Sequence, residues 1–423
     1  MVALSKALSR ITPRTILVVG DLILDKYTFG SSQRISPEAP VPVILVDREE
    51  CKAGGAGNVA LNLIAMGMRV RLVGRVGLDS AGRQLLESLS QKGVDVCGII
   101  EEAGYRTPAK NRLIASSQQL VRIDNETASP LSATSEHRLI EQLTPLFHGV
   151  DLVAISDYAK GTLSSALLSA VIQTANRLHI PCITDPKSAD FSRYAGSTIL
   201  KPNASETLRA APQGISSLEA AAFAILKTTR IDTLMVTRSE EGISLFYPDG
   251  RQDHFSVPRK EVRDVTGAGD TVLAMVSAAF ASGVPLNEVV PLANVAASCA
   301  VERLGCACIS LNDVASRLLE DSSSGNICSA ETFEHLYGVL QQKLLFINIA
   351  SHTLAPTHLL QLAKTAQKYP DRYSVVCFTG QTPDPSLLEL IASLKPLHLV
   401  VHSFPNGQPF VANERNLSIT LPT

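Results

Sequence analysis

The chain has 423 residues, 45% hydrophobic and 18% charged, with a formal net charge of −2. That composition supplies ample material for a buried core and excludes a disordered chain, while the length allows two or three domains. The near-neutral charge gives no global attraction to nucleic acid or an anionic membrane, so any phosphate must be held by a local site.

In chain order, Lys6, Arg10 and Arg14 precede an apolar run at 16–19 that is too short for a signal peptide and ends at Gly20-Asp21. The runs 16–19, 70–73, 152–156, 182–185, 198–200 and 234–237 are rich in β-branched residues and lack polar alternation, which predicts parallel strands buried on both faces. Between them, helices are expected at 56–66, 81–92, 135–146, 164–178, 217–227 and 270–281. This alternation predicts an open α/β fold with a mostly parallel sheet. The stretch 41–47, which follows Pro40 and contains Pro42, reads as an edge or lid strand. The apolar stretch 271–286 is broken by Ser277, Ser282, Gly283 and Pro285 and is shorter than the roughly 20 residues a spanning helix needs. A soluble, cytoplasmic protein is expected. The eight cysteines, at 51, 97, 182, 299, 306, 308, 328 and 377, form no CxxC pair, which suits reduced thiols. A Ser-rich break at 320–325 divides the chain into a domain at 1–320, a linker at 321–330 and a smaller α/β unit at 331–423.

Three stretches carry chemistry. In DVTGAGDTV, from Asp264 to Val272, Gly267, Ala268 and Gly269 lead into an apolar helix. Their N–H groups and the helix dipole can converge on an anion, and Asp270 in the first turn can take a hydroxyl proton. Phosphoryl transfer to an alcohol needs both; a plain tight turn with a charged helix start is the competing reading. In GGAGNVALNLIAMG, Gly54 and Gly55 permit close backbone approach, and Asn58 offers a donor and an acceptor to a sugar hydroxyl. In VVGDLILDKY, Asp21 closes a buried strand and Asp25 follows four residues on, where open α/β folds place ligands. Paired carboxylates suit sugar hydroxyls, although Asp25 also fits a turn cap.

In this order and spacing the three stretches resemble the ribokinase/PfkB family of carbohydrate kinases over residues 11–318. The resemblance implies a ribokinase-like three-layer α/β sandwich with a small β lid. SSQRISPEAPVPV, SQQLVRID, SDYAKG, DPKSADFSRY, LKPNASE and VTRSEEGISLF further resemble the heptose 7-phosphate kinase branch found in bifunctional ADP-heptose synthesis proteins. That second resemblance implies transfer of the ATP γ-phosphoryl group to the anomeric hydroxyl of a heptose 7-phosphate. Asp270 is then the base, with Gly267, Ala268 and Gly269 as anion hole. Asp21, Asp25, Gly54, Gly55, Asn58, Arg122, Asp157 and Lys160 hold the sugar. Asn203, Ala204, Ser205, Glu206, Thr237, Ser239 and Gly242 hold ATP, with Glu206 holding Mg²⁺ through water. A monovalent cation is left open, and a homodimer formed through the lid is implied. Arg34, Arg122, Lys160, Lys187 and Arg193 are candidates to meet the substrate phosphate.

The stretch 344–371 resembles the opening of the nucleotidyltransferase domain of those bifunctional proteins. Asn348 and His358 match it, but Ile349, His352, Ala355 and Thr357 replace the turn glycine, the acidic residue, the first histidine and the motif glycine. The expectation is a truncated, Rossmann-like remnant without transferase activity. The alternatives are a kinase for another sugar, a protein that keeps both activities, and a non-catalytic sugar-binding relative; intact Asp270 and its glycines speak against the last.

Overall fold

The computed structural model describes residues 2–115, 118–257, 263–322, 327–340, 343–349, 356–378, 384–394, 397–402 and 417–420. The chain divides into two compact units, one spanning Thr12–Ser310 and a smaller one made of Met1–Ile11 with Leu311–Thr423.

In the larger unit the strands are β1 (Thr15–Gly20), β2 (Leu22–Ile35), β3 (Pro42–Gly55), β4 (Arg69–Gly77), β5 (Asp95–Glu102), β6 (Ala109–Ala115), β7 (Gln118–Asn125), β8 (Leu152–Ser156), β9 (Cys182–Asp185), β10 (Ile199–Leu200), β11 (Thr233–Thr237), β12 (Ile243–Phe246) and β13 (Gln252–Phe255). Nine of them form one sheet in the order β13-β12-β11-β10-β9-β8-β1-β4-β5. It is parallel except for the β11-β12-β13 edge. β1 and β8 are buried at every position, as parallel strands covered on both faces are. From β1 the chain builds outward through β4 and β5 on one side, and later through β8 to β11 on the other. The order therefore reverses between β1 and β8, and open α/β sheets bind ligands at the carboxyl ends flanking such a reversal.

One residue, Asp21, separates β1 from β2, and there the chain leaves the main sheet to build a four-stranded lid in the order β3-β2-β6-β7. The strand expected at 41–47 is the start of β3, with Pro42 as its first residue on an edge strand, where a missing N–H breaks no ladder.

The smaller unit holds a parallel sheet of β14 (Ile327–Ser329), β15 (Leu344–Ile349), β16 (Tyr373–Phe378), β17 (Leu399–His402) and β18 (Leu417–Thr420), in the order β14-β17-β16-β15-β18. Leu345, Ile347, Leu362, Val376, Ile391 and Val400 form its core. Its boundary differs from the composition break. Helix Leu311–Ser322 belongs to this unit because Val314, Ala315, Leu318 and Leu319 form one buried face. The expected linker at 321–330 thus contains the end of that helix and β14, while 323–326 lie outside the described residues. His352 and Ala355 also lie outside them. Among the described residues the cysteines form no disulfide.

Candidate active site

The helix Ala268–Ala281 begins at Gly267, whose φ of 79° is left-handed and makes no side-chain cap. The Ala268 N–H donates to the Val265 carbonyl at 3.3 Å, whereas the Gly269 and Asp270 N–H groups have neither an intrahelical acceptor nor a capping oxygen, leaving them able to meet an anion. Glycine is required at 267 for a second reason: a Cβ there would stand 2.7 Å from Asn58 Nδ2.

Asp270 lies in that first turn and is 2% exposed. Asn58 Nδ2 donates to its Oδ2 at 2.8 Å, and the Tyr158 hydroxyl donates to its Oδ1 at 2.8 Å. Burial pushes the Asp270 pKa up to about 7; Asp185 adds to the rise, while the two hydrogen bonds and Lys201 oppose it. A carboxylate that titrates near neutrality is suited to accepting a proton. Asn58, expected to serve the sugar, is turned toward this carboxylate. Asn62 Nδ2 donates to Asn58 Oδ1 at 3.2 Å and so fixes which end of the amide faces Asp270. Asn62 Oδ1 in turn accepts the Ile309 N–H at 2.9 Å.

Asp21 does not present a free carboxylate to a sugar, contrary to expectation. It is fully buried and accepts the N–H groups of Tyr158 at 2.9 Å, Lys160 at 3.0 Å and Thr162 at 3.1 Å. It anchors the loop after β8. Asp157 is engaged likewise, accepting the Ala159 N–H at 2.7 Å and the Tyr194 hydroxyl at 2.6 Å. Lys160 pairs with Glu126 at 2.6 Å. These residues build the loop from within.

Asp25 lies on β2 beneath the lid, with one oxygen on Arg112 and the other accepting from the Cys306 thiol at 3.5 Å. A Cβ on Gly54 would stand 2.1 Å from Asp25 Oδ2, so the first glycine of the Gly-Gly pair makes room for this carboxylate. Gly55 has φ of 57° and continues into the helix bearing Asn58. Strand register sets Asp25 opposite Lys110 and Tyr27 opposite Arg112, and on β7 sets Arg122 opposite Arg112. Because paired positions share a face, Asp25, Lys110, Arg112 and Arg122 line one side of the lid. Arg122 itself is half exposed and pairs with Asp124.

At the carboxyl ends of β10 and β11, Asn203 caps the helix Ala204–Ala210, with Glu206 closing a capping box and Ala204 and Ser205 between them. Thr237 bridges to Asn203, and Ser239 and Gly242 follow at φ of 51° and 92°. Glu206 Oε1 takes Lys187 Nζ at 2.9 Å and Oε2 takes the Asn203 N–H at 3.0 Å. Each oxygen keeps a lone pair, which suits a hard cation held through water. Between this segment and Asp270 stands Lys201, 2% exposed and paired with Asp185 at 2.8 Å. A Cβ on Gly269 would be 3.8 Å from Lys201 Nζ and 3.9 Å from Asp185 Oδ2. The site therefore gathers a near-neutral base, open amides and a buried cation around Gly269. The residues missed from sequence are Tyr158, Asp185, Lys201, Arg112 and Cys306; SDYAKG, DPKSADFSRY and LKPNASE contained three of them without marking which side chain faces the site.

Among known proteins, the model of the pfkB family carbohydrate kinases matches residues 14–312. The "Bifunctional protein HldE" of Trichlorobacter lovleyi is 42% identical over 389 residues, covering 90% of this chain and 78% of that protein. The protein of the same name from Pelobacter propionicus is 45% identical over 300 residues, covering 70% of this chain and 62% of its own. The fold is similar to that of Arabidopsis thaliana ribokinase complexed with ribose and ATP, with a TM-score of 0.57, 20% identity, and coverage of 73% of this chain and 99% of that one. It is also similar to Escherichia coli phosphofructokinase-2 in complex with substrates and products, with a TM-score of 0.61, 20% identity, and coverage of 73% and 100%.

Proposed function

The chain belongs to the pfkB family of carbohydrate kinases and is a sugar kinase acting on an alcohol group, and on that premise we propose that its substrate is a heptose 7-phosphate, phosphorylated at the anomeric hydroxyl by ATP. The observation that carries the kinase chemistry is Asp270, buried beside open amides and Lys201. Support for a sugar that already bears a phosphate comes from Lys110, Arg112 and Arg122, which outnumber Asp25 and Asp124 on one lid face, together with the similarity to the HldE proteins.

In the reaction, Asp270 takes the proton of the anomeric hydroxyl as that oxygen bonds to the γ-phosphorus. The bond from the γ-phosphorus to the β–γ bridging oxygen breaks, and ADP leaves with that oxygen. The amide of Gly269, with Lys201, stabilises charge on the moving phosphoryl group. Asn203 to Glu206 and Thr237 to Gly242 seat the nucleotide. Glu206 would hold Mg²⁺ through water, and the ion would supply charge neutralisation on the phosphates. Asp25 orients the sugar. We place this chemistry in the cytoplasm, where ATP is available, and infer a homodimer paired through the lid, whose Ile35, Leu45, Val46, Val121 and Ile123 are exposed apolar residues.

The test is ADP release across a panel of sugars and sugar 7-phosphates, with the product identified by mass spectrometry. A heptose 1,7-bisphosphate is expected. Preference for an unphosphorylated sugar overturns the substrate assignment and leaves the kinase chemistry standing. A second reading retains nucleotidyl transfer in the smaller unit. It is favoured by similarity to a bifunctional protein over 90% of the chain.

A further inference from the structure

The loop joining β8 to Leu163 is held more tightly than its length requires. Three of its N–H groups end on the buried Asp21 carboxylate, and a fourth ends on Asp157, itself fixed by Tyr194. Ala159 sits at φ of 54°, a left-handed conformation unusual for a residue with a Cβ. Gly161, at φ of 94°, packs where a Cβ would meet the Ser129 carbonyl oxygen at 2.0 Å. Backbone held so far from its resting preferences persists only where surrounding contacts impose it, and such places cluster at functional sites. The loop leaves β8 at the reversal point of the sheet and delivers one side-chain group to the site: the Tyr158 hydroxyl, on Asp270 Oδ1.

We propose that Tyr158 is a positioning residue, which holds the Asp270 carboxylate in its proton-accepting orientation and favours its ionised form before the sugar hydroxyl arrives. The inference rests on the reading of Asp270 as the base. With Asn58 on Oδ2 and Tyr158 on Oδ1, rotation of the carboxylate breaks both hydrogen bonds, while each oxygen keeps one lone pair for the incoming proton. A hydrogen bond donated to a carboxylate favours its charged form. Burial and the neighbouring carboxylates push the tyrosine hydroxyl well above its usual pKa of 10, so it remains a donor across the working range. The other groups facing Asp270 are Asn58 from helix Ala56–Ala65, Asp185 at the end of β9, Lys201 after β10, and the Cys306 thiol. Among the described residues, Tyr158 and Asn58 are the two whose side chains donate hydrogen bonds to it.

The experiment is the pH profile of kcat/KM for the sugar, for the whole protein and for Tyr158→Phe, with KM for both substrates. Losing one hydrogen bond to a charged group should move the acid limb up by about one pH unit. From a limb near 7, the ionised fraction at pH 7 falls from roughly half to roughly a tenth, an about fivefold loss of kcat/KM that vanishes by pH 9. Both KM values should stay within about twofold. A loss of kcat/KM equal at every pH, with the limb unmoved, overturns the proposal and makes Tyr158 structural. If Tyr158→Phe melts too early to assay, 3-fluorotyrosine at position 158 preserves the shape and donates more strongly. The limb should then move down, and an unmoved limb again overturns the proposal. Asp270→Asn measured alongside separates the two readings. A variant that keeps activity within tenfold removes the base itself, whereas an inactive Asp270→Asn with a flat Tyr158→Phe profile removes only the role of Tyr158.

Discussion

Lys201 Nζ stands 2.8 Å from Asp185 Oδ2, and this pair lies directly beside Gly269, at the mouth of the amides proposed to receive the phosphoryl group. Burial pushes the Asp185 carboxyl up, and Lys201 holds it down. Lys201→Met removes the cation from the transition state and leaves Asp185 unpaired. Breaking such a buried pair costs about 3–5 kcal/mol. The expected result is a fall in kcat of at least a hundredfold and a lower Tm. Without that cation the Asp185 pKa rises further in the folded variant while its unfolded value is unchanged, so the Tm deficit should grow as pH rises from 5 to 8. Differential scanning fluorimetry across pH reads this, and an equal deficit at both ends contradicts it.

Asp270→Asn should lower kcat by about 10²–10⁴-fold and leave KM for ATP nearly unchanged, since the carboxylate acts on the sugar proton. In the unmodified protein, kcat/KM should fall tenfold per pH unit below about 7, because only the ionised carboxylate accepts a proton. A loss under tenfold in the variant, or a limb near pH 4, contradicts the role.

The same residue links activity to stability. Its folded pKa of about 7 lies above the unfolded value of 3.8, so Asp270 makes the native state progressively less stable as pH rises between those limits. Asparagine does not titrate. The Tm of Asp270→Asn relative to the unmodified protein should therefore climb between pH 4 and pH 7, by an amount equivalent to a few kcal/mol at most. A constant difference means the carboxyl is not perturbed in the folded protein.

Much of this architecture is legible in sequence because buried parallel strands declare themselves: β8 and β9 fall at the residues their apolar runs mark. Lid strands β2, β6 and β7 do not, since β7 is exposed along its whole length and carries no burial pattern. The site shows a similar split. The Gly-Ala-Gly-Asp turn announces a base at a helix start, but a carboxylate at a strand end looks alike whether it faces a sugar or three N–H groups, as Asp21 does. Arg112 reaches Asp25 through the parallel register of β2 with β6, which joins residues 87 apart in the chain. Local sequence carries no trace of such pairing.

Asp21 and Asp25 should therefore behave differently. Asp21→Asn weakens three hydrogen bonds to a charged acceptor, each worth about 1.5–3 kcal/mol, and should lower Tm and kcat together while shifting both KM values alike. Asp25→Asn should instead raise KM for the sugar roughly tenfold or more with little change for ATP. Gly54→Ala, which sets a methyl group against Asp25 Oδ2, should follow the same sugar-selective pattern. A sugar-selective defect in Asp21→Asn would return that residue to the pocket.

The smaller unit supplies the last prediction. Its sheet reverses between β15 and β18, the kind of place where such folds take a nucleotide, and Asn348, next to last in β15, donates from Nδ2 to Ser418 Oγ at 2.7 Å. Position 357, which the resemblance to the transferases sets at their motif glycine, is an exposed threonine in the first turn of helix Pro356–Gln367. A β-branched side chain there obstructs backbone approach to a triphosphate, and alanine at 355 supplies no charged donor to it. The protein supplied with heptose 1-phosphate and ATP should form no ADP-heptose above a no-enzyme control, while its kinase activity on the 7-phosphate proceeds. Thr357→Gly combined with Ala355→His should not by itself create rapid turnover, since Ile349 and His352 also depart from the transferase pattern. Formation of ADP-heptose by the unmodified chain, detected by mass spectrometry, would show that the second activity persists despite those four replacements.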